Sequence, residues 1–151
     1  MLALLIAAAV SAPAAEQAAI FAAAGFSRRG GKWRTDCDQP GQGSYEPGAI
    51  ETYRDLNGDG RPEAVVTEGS GYCYGNTGTG FWLLSRQPNG RWKVLYDSQG
   101  IAEFLATRGV NKMPDMSIGG PGFCFPVVRW NGKAYVQHRF EYDGKRCKPA
   151  R

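Results

Sequence analysis

Four cysteines, Cys37, Cys73, Cys124 and Cys147, constrain this chain more than any other feature. No C-x-x-C pair is present and the four lie far apart, which does not suit a zinc site, whose ligands come in closely spaced pairs. In an oxidising compartment an even count reads as disulfides instead. The start of the chain points to such a compartment. "MLALLIAAAVSA" is almost wholly apolar and runs into the small residues of Ala12-Pro13-Ala14, the pattern of a secretory signal and too short for a stable membrane anchor. The expectation is a signal peptide over residues 1–14, one domain over 15–151, no membrane span, and a periplasmic or secreted location. "GYCYG" and "GFCFP" both set cysteine between aromatics, a context suited to neighbouring buried strands. The expected pairs are therefore Cys73 with Cys124 and Cys37 with Cys147.

The second pair has an electrostatic consequence. The chain has 18 Lys and Arg against 14 Asp and Glu, a formal net charge of +4. Arg28, Arg29, Lys32 and Arg34 precede Cys37, while Lys145, Arg146, Lys148 and Arg151 surround Cys147. A bridge between those cysteines would gather the two groups at one end. Such an end attracts an anionic envelope polymer or an acidic protein.

A chain of 151 residues fits one domain with one core. "AAEQAAIFAAAGF" is rich in alanine and has Gly25 where a C-cap falls, which predicts a helix over 15–24. Residues 27–48 are crowded with glycine and proline and read as loops, with Trp33 anchoring them to the core. From Ala49 the pattern turns to strands: "AIETY", "AVVTE", then "FWLLS" and "WKVLY" joined through Asn89-Gly90. "FPVVRW" and "KAYVQHRFEY" are joined by Asn131-Gly132, the dipeptide most suited to a type I′ turn. "IAEFLATRG" predicts a short helix over 101–109, and "MPDMSIGGPGF" is too rich in glycine and proline for long regular structure. The fold class expected is mainly β (α+β): an antiparallel sheet of five to seven strands with one N-terminal helix, stapled by disulfides, and a monomer.

"DLNGDGRPEAVV", residues 55–66, carries the strongest site signal. Asp55, Asn57 and Asp59 stand two residues apart, Gly60 permits a sharp turn that brings the Arg61 carbonyl inward, and Glu63 follows. Alternate oxygens around a tight loop suit calcium, which takes six to eight hard oxygen ligands. Position twelve is Val66 and the flanks are strand-like, so the loop is not an EF-hand. Without metal the same residues make an Asx-type turn between two strands. The loop followed by a short apolar strand resembles the calcium loop of FG-GAP and VCBS repeats over about residues 49–68, and the whole chain is similar to small exported bacterial proteins with one such loop. The resemblance implies calcium held by Asp55, Asn57, Asp59, the Arg61 carbonyl and Glu63. One loop cannot make a propeller, which stacks several blades.

Signals for catalysis are weak. His138 is the single histidine and lies in an alternating strand, where it reads as a surface residue. "GNTGTG" at 75–80 lacks the spacing of a phosphate loop. The aromatics Tyr72, Tyr74, Phe81, Trp82, Phe123 and Phe125 cluster around two cysteines, and an exposed subset would form a stacking platform for a sugar or a peptide. The function expected is an exported, calcium-stabilised binding or inhibitory module without catalysis. The alternatives are a metal-dependent hydrolase using the acidic loop and a structural envelope protein.

Overall fold

The computed structural model of the protein describes residues 11–150. Most of the expected signal segment, 1–10, lies outside the described residues. Helix α1 (Ala14–Ala23) leads into the hairpin of β1 (Ser27–Arg29) and β2 (Lys32–Arg34). There follow β3 (Tyr45–Arg54), β4 (Glu63–Ser70), the single-turn α2 (Gly71–Tyr74), β5 (Thr79–Arg86) and β6 (Trp92–Gln99). The chain continues through β7 (Ile101–Arg108), β8 (Pro114–Gly119), β9 (Phe125–Trp130), β10 (Tyr135–Tyr142) and β11 (Lys145–Arg146). Three antiparallel sheets result: the β1–β2 hairpin, a four-stranded sheet in the order β3-β4-β5-β6, and a five-stranded sheet in the order β11-β10-β9-β8-β7. The fold is mainly β with one N-terminal helix, as expected, but eleven strands form among the described residues where five to seven were expected.

The layers follow from strand alternation. On β4, Ala64 and Val66 face one side and Val65 the other, and all three are buried. Ala64, Val66 and Leu84 pack with Ile20, Phe21, Ala24 and Phe26, so α1 and the segment after it cover one face of the four-stranded sheet. Val65, Phe81 and Leu83 pack with Met116, Ile118, Val128 and Tyr135 of the five-stranded sheet, so the other face is covered too. A sheet covered on both faces buries its inner strands almost throughout, as β4 is: Ala64, Val65 and Val66 supply its apolar run, and its buried Glu63, Glu68 and Ser70 are all hydrogen-bonded. Two polar contacts seat the helix: Trp92 Nε1 donates to Glu16 Oε2 at 2.5 Å, and Arg86 lies 3.4 Å from the same carboxylate. Trp33 stacks on Phe21 with ring centroids 5.0 Å apart, which is the predicted anchor.

Gly100 alone carries the chain from one sheet to the other. It takes φ of +126°, and a Cβ there would stand 2.5 Å from the Gly119 carbonyl oxygen. Only glycine fits such a crossing.

Three local expectations are corrected. Residues 101–108 form strand β7, not a helix, because Ala102 and Phe104 pack on the core while Ile101 and Glu103 between them are exposed, a period of two. The glycine- and proline-rich passage contains β8: Pro114 stands at its first position, where no ladder donor is needed, and Met116 and Ile118 point inward. Asn131-Gly132 is not a type I′ turn. The Asn131 side-chain oxygen accepts the N–H groups of Lys133 and Ala134, both at 2.9 Å, and a four-residue loop results. The two-residue turn is instead Asp143-Gly144, with φ of +51° and +74° between the paired Tyr142 and Lys145.

The disulfides are Cys37–Cys73 and Cys124–Cys147, with Cα atoms 5.5 and 5.8 Å apart. Both predicted pairs are therefore wrong. The physical reason is that each bridge joins segments which the ladders already bring together. The Cys37 carbonyl accepts the Ser70 hydroxyl at 2.9 Å where β4 runs into the turn holding Cys73. The β9-β10-β11 meander returns Cys147 beside Cys124, and the Cys147 N–H donates to the Phe140 carbonyl at 3.1 Å. The bridge that was to gather the two basic groups at one end does not exist.

Candidate functional site

The acidic loop joins β3 to β4, the edge hairpin of the covered sheet. Asp55 Oδ1 accepts the Gly58 N–H at 2.8 Å and Oδ2 accepts the Gly60 N–H at 2.8 Å. Its slight burial favours the protonated form, but these N–H groups outweigh that and lower its pKa. Asp59 Oδ1 accepts the Arg61 N–H at 2.8 Å, and its Oδ2 lies 2.9 Å from the Arg61 guanidinium. The Asn57 amide nitrogen, placed by its acceptor neighbours, donates to Asp55 Oδ1 and Asp59 Oδ1 at 3.1 and 3.2 Å.

Glu63 is turned the other way. It is fully buried, accepts the Leu56 N–H at 2.8 Å and the Ser85 hydroxyl at 3.0 Å, and so ties the loop to β5. Burial pushes its carboxyl up to about 7 against the pull of those donors, and the charges of Asp59 and Asp55 push the same way. Among the described residues no three His, Cys, Asp or Glu side chains converge into a metal cage. The side chains that do converge are those of Asp55, Asn57 and Asp59, with the amide between the two carboxylates.

The predicted aromatic platform divides. Trp82 packs edge-on against Phe26, centroids 4.9 Å apart, inside the core. The Tyr74 hydroxyl donates to Glu68 Oε1 at 2.8 Å and the Tyr45 hydroxyl to Oε2 at 2.7 Å, around a buried carboxylate that also receives Thr35. Burial and this carboxylate raise both phenols, Tyr45 to about 12. These tyrosines brace the Cys37–Cys73 staple. Tyr72 is exposed beside them. Arg28 rests over Trp33, 5.9 Å from the ring, and Arg29 donates to the Thr35 carbonyl at 2.8 Å.

Phe123 and Phe125 stand elsewhere, on the outer face of the five-stranded sheet. Phe123 is 77 % exposed and meets Tyr142 edge-on at 5.5 Å; Phe125 meets the same ring at 5.7 Å. Two adjoining depressions share Glu103, Ser117 and Phe125 and so form one groove, which Tyr142 closes at one end and Asn76, Thr77 and Pro121 at the other. Further along this face lies an ionic cluster. Asp115, with no exposure, receives Arg129 at 2.8 and 2.9 Å, Arg139 at 2.9 Å and the Thr107 hydroxyl at 2.6 Å, and Arg139 also pairs with Glu141. Burial alone would raise the Asp115 carboxyl, but hydrogen bonds from Arg129, Thr107 and Arg139 hold it well below the usual carboxylate range.

Sequence reasoning passed over Tyr142, Glu103 and the Asp115 cluster. The signal for part of it was present, since Arg139 and Glu141 alternate in a strand with Phe140 and therefore share a face.

Fold and site together define a disulfide-stapled protein of two stacked β-sheets with one face left open. The chain matches no protein-family model, no curated protein and no solved structure. No helix among the described residues is long and apolar enough to cross a membrane.

Proposed function

We propose that this protein is an exported, calcium-braced binding module without catalysis of its own, and that it holds an envelope polysaccharide on the open face of the five-stranded sheet. The observation that carries the reading is the aromatic set in which exposed Tyr142 meets exposed Phe123 and half-buried Phe125, beside a groove that Phe125, Tyr142, Leu105 and Ile101 line together with the polar groups of Glu103, Ser117 and Asn76. A large ring left in water on a rigid scaffold offers contact area with little entropy to lose. Carboxylate, hydroxyl and amide groups at Glu103, Ser117 and Asn76 suit sugar hydroxyls. Two disulfides support an oxidising compartment.

Calcium fits the β3–β4 loop through Asp55, Asn57 and Asp59. The Asp55 and Asp59 carboxylates stand on either side of the Asn57 amide in one tight loop, and hard oxygens at alternate residues suit calcium. The likeness to FG-GAP loops implies the Arg61 carbonyl and Glu63 as further ligands, but Glu63 is turned to the Leu56 N–H and the Ser85 hydroxyl and would have to leave both to join. A calcium ion there neutralises charge and stiffens the hairpin.

The test is retention on immobilised envelope polysaccharide. Phe123→Ala with Tyr142→Ala is expected to abolish retention while the melting temperature holds; retention equal to wild type overturns the reading. Release of reducing ends from the same matrix, lost in a folded Asp59→Asn protein, would establish a hydrolase instead.

A further inference from the structure

We infer that a second site lies at the β10–β11 edge, an anion site that receives the acid group of a charged polysaccharide, whether carboxylate, sulfate or phosphate. This deepens the binding-module reading and rests on it for the polymer. The depression there is lined by His138, Arg139, Phe140, Arg146, Cys147 and Lys148. Three of the six carry a permanent positive charge, a fourth is a histidine, and none is acidic.

The cations are not equivalent. Arg139 is committed to Asp115 and Glu141. Elsewhere Arg34 pairs with Asp38, Arg61 with Asp59, Arg86 with Glu16 and Arg129 with Asp115. Arg146 and Lys148 form no ion pair among the described residues, although they flank the cysteine of a disulfide. Their backbone is also fixed. The Asp143-Gly144 turn sets β11 against β10, the Cys147 N–H bonds to Phe140, and the Cys124–Cys147 bridge holds the segment down. Two unpartnered cations on a pinned backbone lose less freedom on meeting an anion than two on a loose tail. Half-buried Phe140 in the lining adds a ring for the sugar that carries the acid.

Position on the strand links the two sites. His138 to Phe140 line the depression and Glu141 to Gly144 line the groove, so both lie along β10. The groove lining then sets the class of polymer. The groove presents Glu103 and Asp143, acceptors for the ring hydroxyls that a polysaccharide carries at every unit and DNA does not. A polysaccharide offers hydroxyl-bearing rings to the groove and an acid group to the edge.

The experiment compares Arg146→Gln/Lys148→Gln with Arg91→Gln/Lys93→Gln, which removes the same charge from the β5–β6 turn and β6. Binding of polygalacturonate and of single-stranded DNA is measured by calorimetry at low salt, with melting curves confirming the fold. The edge variant is expected to bind polygalacturonate roughly tenfold more weakly, and the control pair to stay close to wild type. Equal losses in both variants, or none in the edge variant, overturn the site. DNA bound more tightly than polygalacturonate overturns the polysaccharide. If the Phe123 and Tyr142 variant binds polygalacturonate normally while the edge variant does not, the anion site stands and the groove reading falls.

Discussion

The two large sheets are built from the same antiparallel ladders and share one core, yet they have opposite fates. The four-stranded sheet is covered on one side by α1 and Phe26 and on the other by its partner sheet, and its two buried carboxylates each have a structural use: Glu63 ties a loop, Glu68 ties two tyrosines. The five-stranded sheet is covered on one side only. Its other face carries the Asp115 cluster, the groove and the exposed aromatics. A covered face is selected for packing, whereas an open face is free to carry binding chemistry.

The largest test of that contrast is Asp115, a fully buried charge on the nominally open face. Asp115→Ala should cost about 3–5 kcal/mol, because Arg129 loses its partner and Arg139 keeps only Glu141. The pH dependence has a definite sign. The folded carboxyl is held below its unfolded value, so its contribution is complete above about pH 4 and is lost as the pH falls through the folded value. Urea titrations should therefore show a flatter acid limb in the variant. An equally steep limb would place acid sensitivity elsewhere.

The two disulfides divide between the sheets. Cys37–Cys73 fastens the covered sheet and Cys124–Cys147 the open one, across 36 and 23 residues of chain. Chain-entropy arguments give each about 3–4 kcal/mol, with only a few tenths between them. Serine replacements at each pair, compared by chemical denaturation, should therefore lose nearly equal stability. A much larger loss at one pair would show that its sheet depends on the bridge for its shape.

The proposed calcium site belongs to the covered sheet alone. An ion that binds only the native state adds about 2.7 kcal/mol when its free concentration is a hundredfold above its dissociation constant. Chelator should lower the melting temperature of wild type and leave that of Asp59→Ala unmoved. Identical curves with and without chelator would remove the metal from the account. The smallest effect falls on the open face: Phe123→Ala should change stability by no more than about 0.5 kcal/mol, because the ring is mostly in water. A larger change would mean that the ring belongs to the fold, and the groove would lose its best observation.

Local chemistry was readable from the chain. Alanine content and Gly25 placed α1 to within a residue at each end, alternation placed β3 to β6 and β9 to β10, and Asp55, Asn57 and Asp59 do share one tight loop between two strands. Each of these depends on interactions a few residues long. Pairing across distance was not readable. Cys73 and Cys124 share aromatic surroundings, but the context of a cysteine carries no address, and the ladders that decide who meets whom form between segments far apart. Strand β7 was hidden for a related reason. "IAEFLATR" satisfies helical and strand patterns alike until β8 is beside it, when Ala102 and Phe104 find a core to face. Which face of the second sheet stays open was set by α1, because one helix covers one sheet face, and it docks on the four-stranded sheet through Ile20 and Phe21.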